Sequence, residues 1–140
     1  MKVFAYYRIS PNPRKNTPEN NQINEIESYS LQKNIEIVKE YKDLLVSGKI
    51  INQKGFNEML SNLSKVDGNI IYDVSRFGRN AKEAIPLFIN ILSMKKAIKF
   101  VKDNKTLDYS DSSDMSIWEM LVPIIELFQA EEYIKNLHIM

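Results

Sequence analysis

The stretch VFAYYRIS, residues 3–10, decides the fold. Val3 to Tyr7 form an unbroken apolar and aromatic run, the pattern of a buried strand. An arginine and a serine follow as that strand ends, and Pro11 and Pro13 stop it from continuing. Residues two apart share one side of a strand, so Tyr6, Arg8 and Ser10 project together. From this stretch alone, a polar strand end closed by a turn serine is the stronger reading. The other is a cation and a hydroxyl gathered for chemistry.

Downstream, strands and helices alternate. Thr17-Pro18 supplies a hydroxyl cap and a first-turn proline, starting a helix that runs to about Asn34 with Ile23 and Ile26 inward. Ile35 to Val38 is a second strand. Val46 to Gln53 is a polar loop carrying Ser47-Gly48. Phe56, Met59, Leu60 and Leu63 repeat at helical spacing, which predicts an amphipathic helix over 54–64. Asp67-Gly68 is a turn, and Asn69 to Val74 is a third, central strand. Asn80 caps the next helix with Glu83 three residues on, as in a capping box. That helix ends near Met94, where Lys95-Lys96 suits its negative end. Ala97 to Val101 is a fourth strand, and residues 103–113 read as a polar loop. A last helix starts at about 114, with Ile117, Leu121, Ile124, Ile125 and Phe128 in one apolar stripe and Pro123 bending it. This order implies an α/β fold: a mostly parallel sheet of four to five strands, flanked by helices, with a long C-terminal helix.

A chain of 140 residues makes one domain. With no cysteine it has neither disulfides nor thiolate metal sites, and its single histidine, His138, makes a His-based metal site or Ser-His-Asp triad a poor fit. No apolar run approaches a membrane span and no secretory leader is seen, so the expected location is cytoplasmic. Residues 1–102 hold 17 lysines and arginines against 10 acids, and residues 103–140 hold 2 against 8. That asymmetry fits a basic surface for an anionic partner. It fits equally well helices whose solvated faces happen to differ in charge.

Ligands of open α/β sheets bind outside the C-terminal ends of the strands. Two such exits here are rich in arginine: Arg8-Ile9-Ser10, and Ser75-Arg76-Phe77-Gly78-Arg79-Asn80. Only four arginines occur among 19 basic residues, and three lie at these exits. Arginine grips phosphate oxygens with a two-pronged fork. A serine among such cations suits phosphoryl transfer to its hydroxyl.

These residues resemble the catalytic domain of the serine site-specific recombinases, the resolvase/invertase family. The matching features run in family order: Y-x-R-x-S at Tyr6, Arg8 and Ser10; Gln22 on the first helix; Asp43 and Ser47-Gly48 before Lys54-Gly55-Phe56; and S-R-F-G-R-N at 75–80. A final helix carries Glu131 and Glu132. The S-R-F-x-R-N form is closest to the large transposon and phage members, where resolvases have Asp-Arg. Gln53 stands where the family usually carries an arginine, with Lys54 and Lys49 as the nearest cations.

The resemblance implies a prokaryotic, phage or mobile-element recombinase acting on DNA without metal or nucleotide cofactor. Ser10 would attack the phosphodiester and form a 5′-phosphoserine link, followed by strand exchange in a tetramer and religation. Arg8, Arg76 and Arg79 would hold the phosphate. Tyr6, Gln22, Ser47, Gln53, Lys54, Ser75 and Asn80 would support them, and the last helix would form a homodimer. The chain stops at Met140 with neither a helix-turn-helix nor zinc-ribbon cysteines, so the expectation is one catalytic domain over 1–140 without a DNA-binding domain. Two alternatives stand beside this. One is a non-catalytic dimerisation or regulatory module of the same fold. The other is an unrelated α/β phosphate-binding protein, although no P-loop is present.

Overall fold

A computed structural model describes residues 1–10, 18–46, 49–50, 52–110 and 114–139. Four strands run parallel at the centre: β1 (Lys2–Ile9), β2 (Glu36–Val46), β4 (Gly68–Ile71) and β5 (Ala97–Phe100). Two short strands add antiparallel edges, β3 (Lys49–Ile50) on β2 and β6 (Lys105–Leu107) on β5. The order across the sheet is β3-β2-β1-β4-β5-β6, so β1 and β4 lie side by side although almost 60 residues of chain separate them.

Strand β1 is buried on both faces, which is why its sequence is apolar without alternation. Val3, Ala5, Tyr7 and Ile9 face α1 (Pro18–Gln32) in a cluster with Ile26 and Ile70. Phe4 and Tyr6 face the opposite layer, built from α2 (Lys54–Asn62), α3 (Ala81–Ser93) and α4 (Ile117–Ile139). A train of rings ties that layer together. Tyr6 meets Phe56 and Phe77 at centroid distances of 5.8 and 5.4 Å, Phe77 meets Phe88 at 4.7 Å, and Phe88 meets Phe100 at 6.1 Å. Edge-to-face and tilted rings at these separations add to the area they bury.

Some boundaries differ from expectation. Strand β2 extends to Val46 instead of stopping at Val38, because it pairs with β1 as far as Leu44 and with β3 at Leu45 and Val46, while its charged Lys39, Glu40 and Lys42 stay exposed. Strand β4 already includes Gly68 and ends at Ile71. The chain then forms a 3-10 turn over Val74–Phe77, with the Asp73 carboxylate accepting from the Ser75 N–H. The loop expected over 103–113 contains β6, and Tyr109 beyond it is buried. Helix α4 begins at Ile117, with Ser116 Oγ accepting from the Glu119 N–H at 3.2 Å. Thr17, Pro11, Pro13 and Ser47-Gly48 lie outside the described residues. Among the described residues, no helix is long and apolar enough to cross a membrane.

Candidate active site

Parallel pairing brings the C-terminal ends of β1 and β4 to the same edge of the sheet. Arg8 lies at the end of β1, almost fully buried. Its Nε donates to the Tyr6 hydroxyl at 3.2 Å, and that hydroxyl donates to Asp43 Oδ2 at 2.6 Å. Asp43 sits on β2 directly beside Arg8 in the register. Its carboxylate also accepts the backbone N–H of Gly55 at 2.7 Å and of Phe56 at 3.0 Å. One buried carboxylate therefore holds the start of α2 and orients the tyrosine that orients Arg8. Two free backbone N–H groups at a helix start are a natural partner for it. Gly55 is required here, because a Cβ would collide with the Lys42 carbonyl oxygen. Burial pushes the Tyr6 phenol far above its usual range and keeps it a neutral donor, while the adjacent Arg8 pulls the other way.

The second exit is built within a single turn. Asp73 Oδ1 accepts from Ser75 N at 3.1 Å, from Ser75 Oγ at 2.6 Å and from Arg76 Nε at 3.1 Å. Arg76 Nη2 donates to Ser75 Oγ at 3.1 Å. Phe77 anchors the turn in the core. Gly78 packs against the first turn of α3, where a Cβ would lie 2.7 Å from Ala84 N. Asn80 then caps α3, its Oδ1 accepting from Glu83 N at 3.0 Å.

Arg79 is held differently. Its side chain is 67% exposed and pairs with Glu83 at 3.5 Å, while its backbone N–H donates to the same carboxylate at 3.1 Å. That backbone bond, with the charges of Arg79 and then Arg8, holds the Glu83 carboxyl below its usual range. Arg8 and Arg79 thus lie within electrostatic reach of one carboxylate.

A family model described as the resolvase N-terminal domain matches residues 3–137. The chain belongs to the resolvase family. Its fold is shared with the crystal structure of a resolvase-family site-specific recombinase from Streptococcus pneumoniae, at 24% identity and a TM-score of 0.63 over 99% of this chain and 90% of that one. It is shared likewise with the N-terminal catalytic domain of TP901-1 integrase, at 16% identity and a TM-score of 0.63 over 97% of each chain. The C-terminal catalytic domain of ISC1926 TnpA, an IS607-like serine recombinase, matches at 25% identity and a TM-score of 0.53 over 72% of this chain and 70% of that one. No curated protein matches by sequence.

Of the residues anticipated for a resolvase-family site, Tyr6 and Arg8 share one hydrogen-bonded chain, and Ser75 and Arg76 share another. Ser10 is half-buried just past β1. Asn80 works as a helix cap. Gln22 is half-buried on α1. Gln53 is exposed before α2 with no side-chain cap bond, and Lys54 is exposed beside it, its N–H donating to Asn52 Oδ1 at 3.0 Å. Ser47 lies outside the described residues. Sequence reasoning did not single out Asp73 as a site residue, and it gave Asp43 no role. For Asp73 a signal was present: an Asp two residues before a Ser, at a strand exit, is the pattern of a side-chain-capped turn.

Proposed function

We propose that this resolvase-family recombinase domain cleaves and rejoins DNA through Ser10. The Ser10 Oγ attacks the scissile phosphorus, an Oγ–P bond forms and the P–O3′ bond breaks. The proton lost by the serine ends on the departing 3′ oxygen, leaving a 5′-phosphoserine and a free 3′-OH. The reverse reaction reseals the strand, because the covalent link conserves the phosphodiester energy. Arg8, Arg76 and Arg79 supply the cations that meet charge developing on the phosphate oxygens. The observation that carries this reading is the β1–β4 pairing, which sets Arg8 and Arg76 at one edge of the sheet, each backed by a buried aspartate.

Helix α4 exposes Trp118, Val122, Tyr133, Ile134 and Leu137, an apolar surface that supports self-association into the dimer and the strand-exchanging tetramer. DNA is the substrate and the cytoplasm the expected location. Gln53, a neutral residue where the family usually has an arginine, favours the alternative of a non-catalytic dimerisation module.

The test is covalent trapping. A pool of random-sequence duplexes carrying 3′-bridging phosphorothiolates is incubated with the chain, and the protein is then digested and analysed by mass spectrometry. A nucleotide adduct on Ser10 that Ser10→Ala lacks is the expected result. A self-associating chain that forms no adduct assigns it to the non-catalytic module.

A further inference from the structure

We propose that Asp73 is a positioning residue for Arg76: it fixes one edge of the guanidinium so that the opposite edge is presented to a phosphate. The inference rests on the recombinase reading above and adds to it a residue outside the recognised motif. Asp73 is buried, with 5% of its surface exposed, and it sits between the end of β4 and the turn that carries Arg76. A single oxygen, Oδ1, takes the Ser75 N–H, the Ser75 hydroxyl and Arg76 Nε–H. The Ser75 hydroxyl donates to Asp73 and accepts from Arg76 Nη2, so serine and aspartate together make one two-point acceptor.

That acceptor occupies the Nε–Nη2 edge of the guanidinium. Arginine has five N–H donors in a rigid plane, and the two used here leave the Nη1–Nη2 fork unspent among the described residues. Such a fork matches two phosphate oxygens. The Arg76 side chain is only 16% exposed and cannot swing widely, in contrast to Arg79 at 67%. Without Asp73 the Ser75 hydroxyl loses its acceptor, and Arg76 regains the rotamer freedom of a long side chain. Asp73 touches no reacting atom in this arrangement. It acts through Arg76, and its removal should slow chemistry more than it weakens DNA binding.

The experiment compares wild type, Asp73→Ala, Asp73→Asn and Ser75→Ala in two assays. The first is the rate of Ser10 adduct formation on the phosphorothiolate pool under single-turnover conditions, with DNA affinity measured alongside by fluorescence anisotropy. Asp73→Ala should slow the adduct about 100-fold, the scale of a misplaced catalytic group, with affinity little changed. Asp73→Asn keeps an acceptor oxygen in place and should recover most of the rate. The second assay follows the Arg76 Nε–H resonance by NMR while inorganic phosphate is titrated. Phosphate should shift it in wild type and in Asp73→Asn but not in Asp73→Ala.

Asp73→Ala with a wild-type adduct rate overturns the proposal, as does a wild-type phosphate response in that variant. If Asp73→Ala does not fold, Ser75→Ala decides, since it removes the serine half of the acceptor, both its bond to Asp73 and the Nη2 contact: a slowed adduct with intact binding supports the proposal, and an unchanged rate with an unchanged phosphate response overturns it. If wild type forms no adduct, the recombinase reading falls, and the phosphate titration still decides what Asp73 does to Arg76.

Discussion

Tyr6 and Tyr7 are neighbours in the chain and opposites in the structure. Both side chains are buried and both phenols are pushed far above their usual range, chiefly by that burial. Tyr6 points to the layer of α2 and α3, where its hydroxyl relays Asp43 to Arg8. Tyr7 points to α1, where its hydroxyl has no hydrogen-bond partner among the described residues and the charges of Glu40 and Glu27 lie nearby. One face of β1 thus holds a satisfied polar chain, and the other is packing that tolerates an orphaned hydroxyl. The first face is also the side from which Arg8 is oriented.

The largest test of that contrast removes the end of the Tyr6 chain. Asp43→Ala leaves the Gly55 and Phe56 N–H groups and the Tyr6 hydroxyl without their acceptor in a buried site. Each orphaned donor costs about 1–3 kcal/mol, and the sum rivals the whole stability of a domain this size. The expected outcome is loss of the cooperative urea transition, read by near-ultraviolet circular dichroism. Asp43→Asn keeps an acceptor for part of the set and should remain folded with a lowered midpoint. A fully stable alanine variant would show that Asp43 is not the anchor of α2.

Tyr6→Phe is the next step down. It keeps the ring contacts with Phe56 and Phe77 and removes only the relay. Asp43 retains its two backbone donors, so the loss should be about 1 kcal/mol, the net worth of a hydrogen bond, or somewhat more for a charged acceptor. Adduct formation should fall by a larger factor than stability suggests, because Arg8 Nε loses its acceptor. Urea titration and the trapping assay, run on the same sample, separate the two effects.

Much of this was legible in the chain. The runs Val3–Tyr7 and Asn69–Val74 gave the central strands, the helical spacing of Phe56, Met59 and Leu63 gave α2, and Asn80 with Glu83 gave the start of α3. The length of β2 was not legible, because Lys39, Glu40 and Lys42 on a solvated edge look like a loop. The partners of the arginines were hidden for a different reason. Arg8 and Asp43 meet through the register of two parallel strands, and nothing local to either residue states that register. Asp73 was hidden by an expected strand that ran three residues too far, which gave a turn-capping carboxylate the alternating position of a strand residue. The arginines were singled out by their residue type and their place at two strand exits. The support of Arg8 depends on tertiary pairing, whereas that of Arg76 is local to one turn.

Alkaline pH tests both faces at once. A phenol whose folded pKa is raised contributes stability that is complete below its unfolded value of 10.0 and is lost as pH rises through the folded value. Stability should therefore be flat up to about pH 9 and fall steeply above 10. Tyr6→Phe and Tyr7→Phe should each make that fall shallower, and the double variant shallower again. Urea midpoints at closely spaced pH values check this. An unchanged slope in both single variants would show that neither phenol resists ionisation in the folded chain.

The smallest effect, and the one that separates the two tyrosines by sign, belongs to Tyr7→Phe at neutral pH. Removing a buried hydroxyl that has a partner costs stability, whereas removing one that has none spares its desolvation. The ring of Tyr7 packs with Val3, Ala5, Ile9 and Ile26 and is untouched by the change. Glu27 and Glu40 gain nothing from the hydroxyl in the described geometry. Tyr7→Phe should therefore be neutral or stabilising by up to about 1 kcal/mol, the low end of that desolvation cost, while Tyr6→Phe destabilises. Adduct formation should be unaffected, because the α1 face takes no part in holding Arg8. A loss of stability as large as that of Tyr6→Phe would mean that the Tyr7 hydroxyl finds a partner in solution, such as a bound water, and the two faces of β1 would then differ in packing but not in polar order.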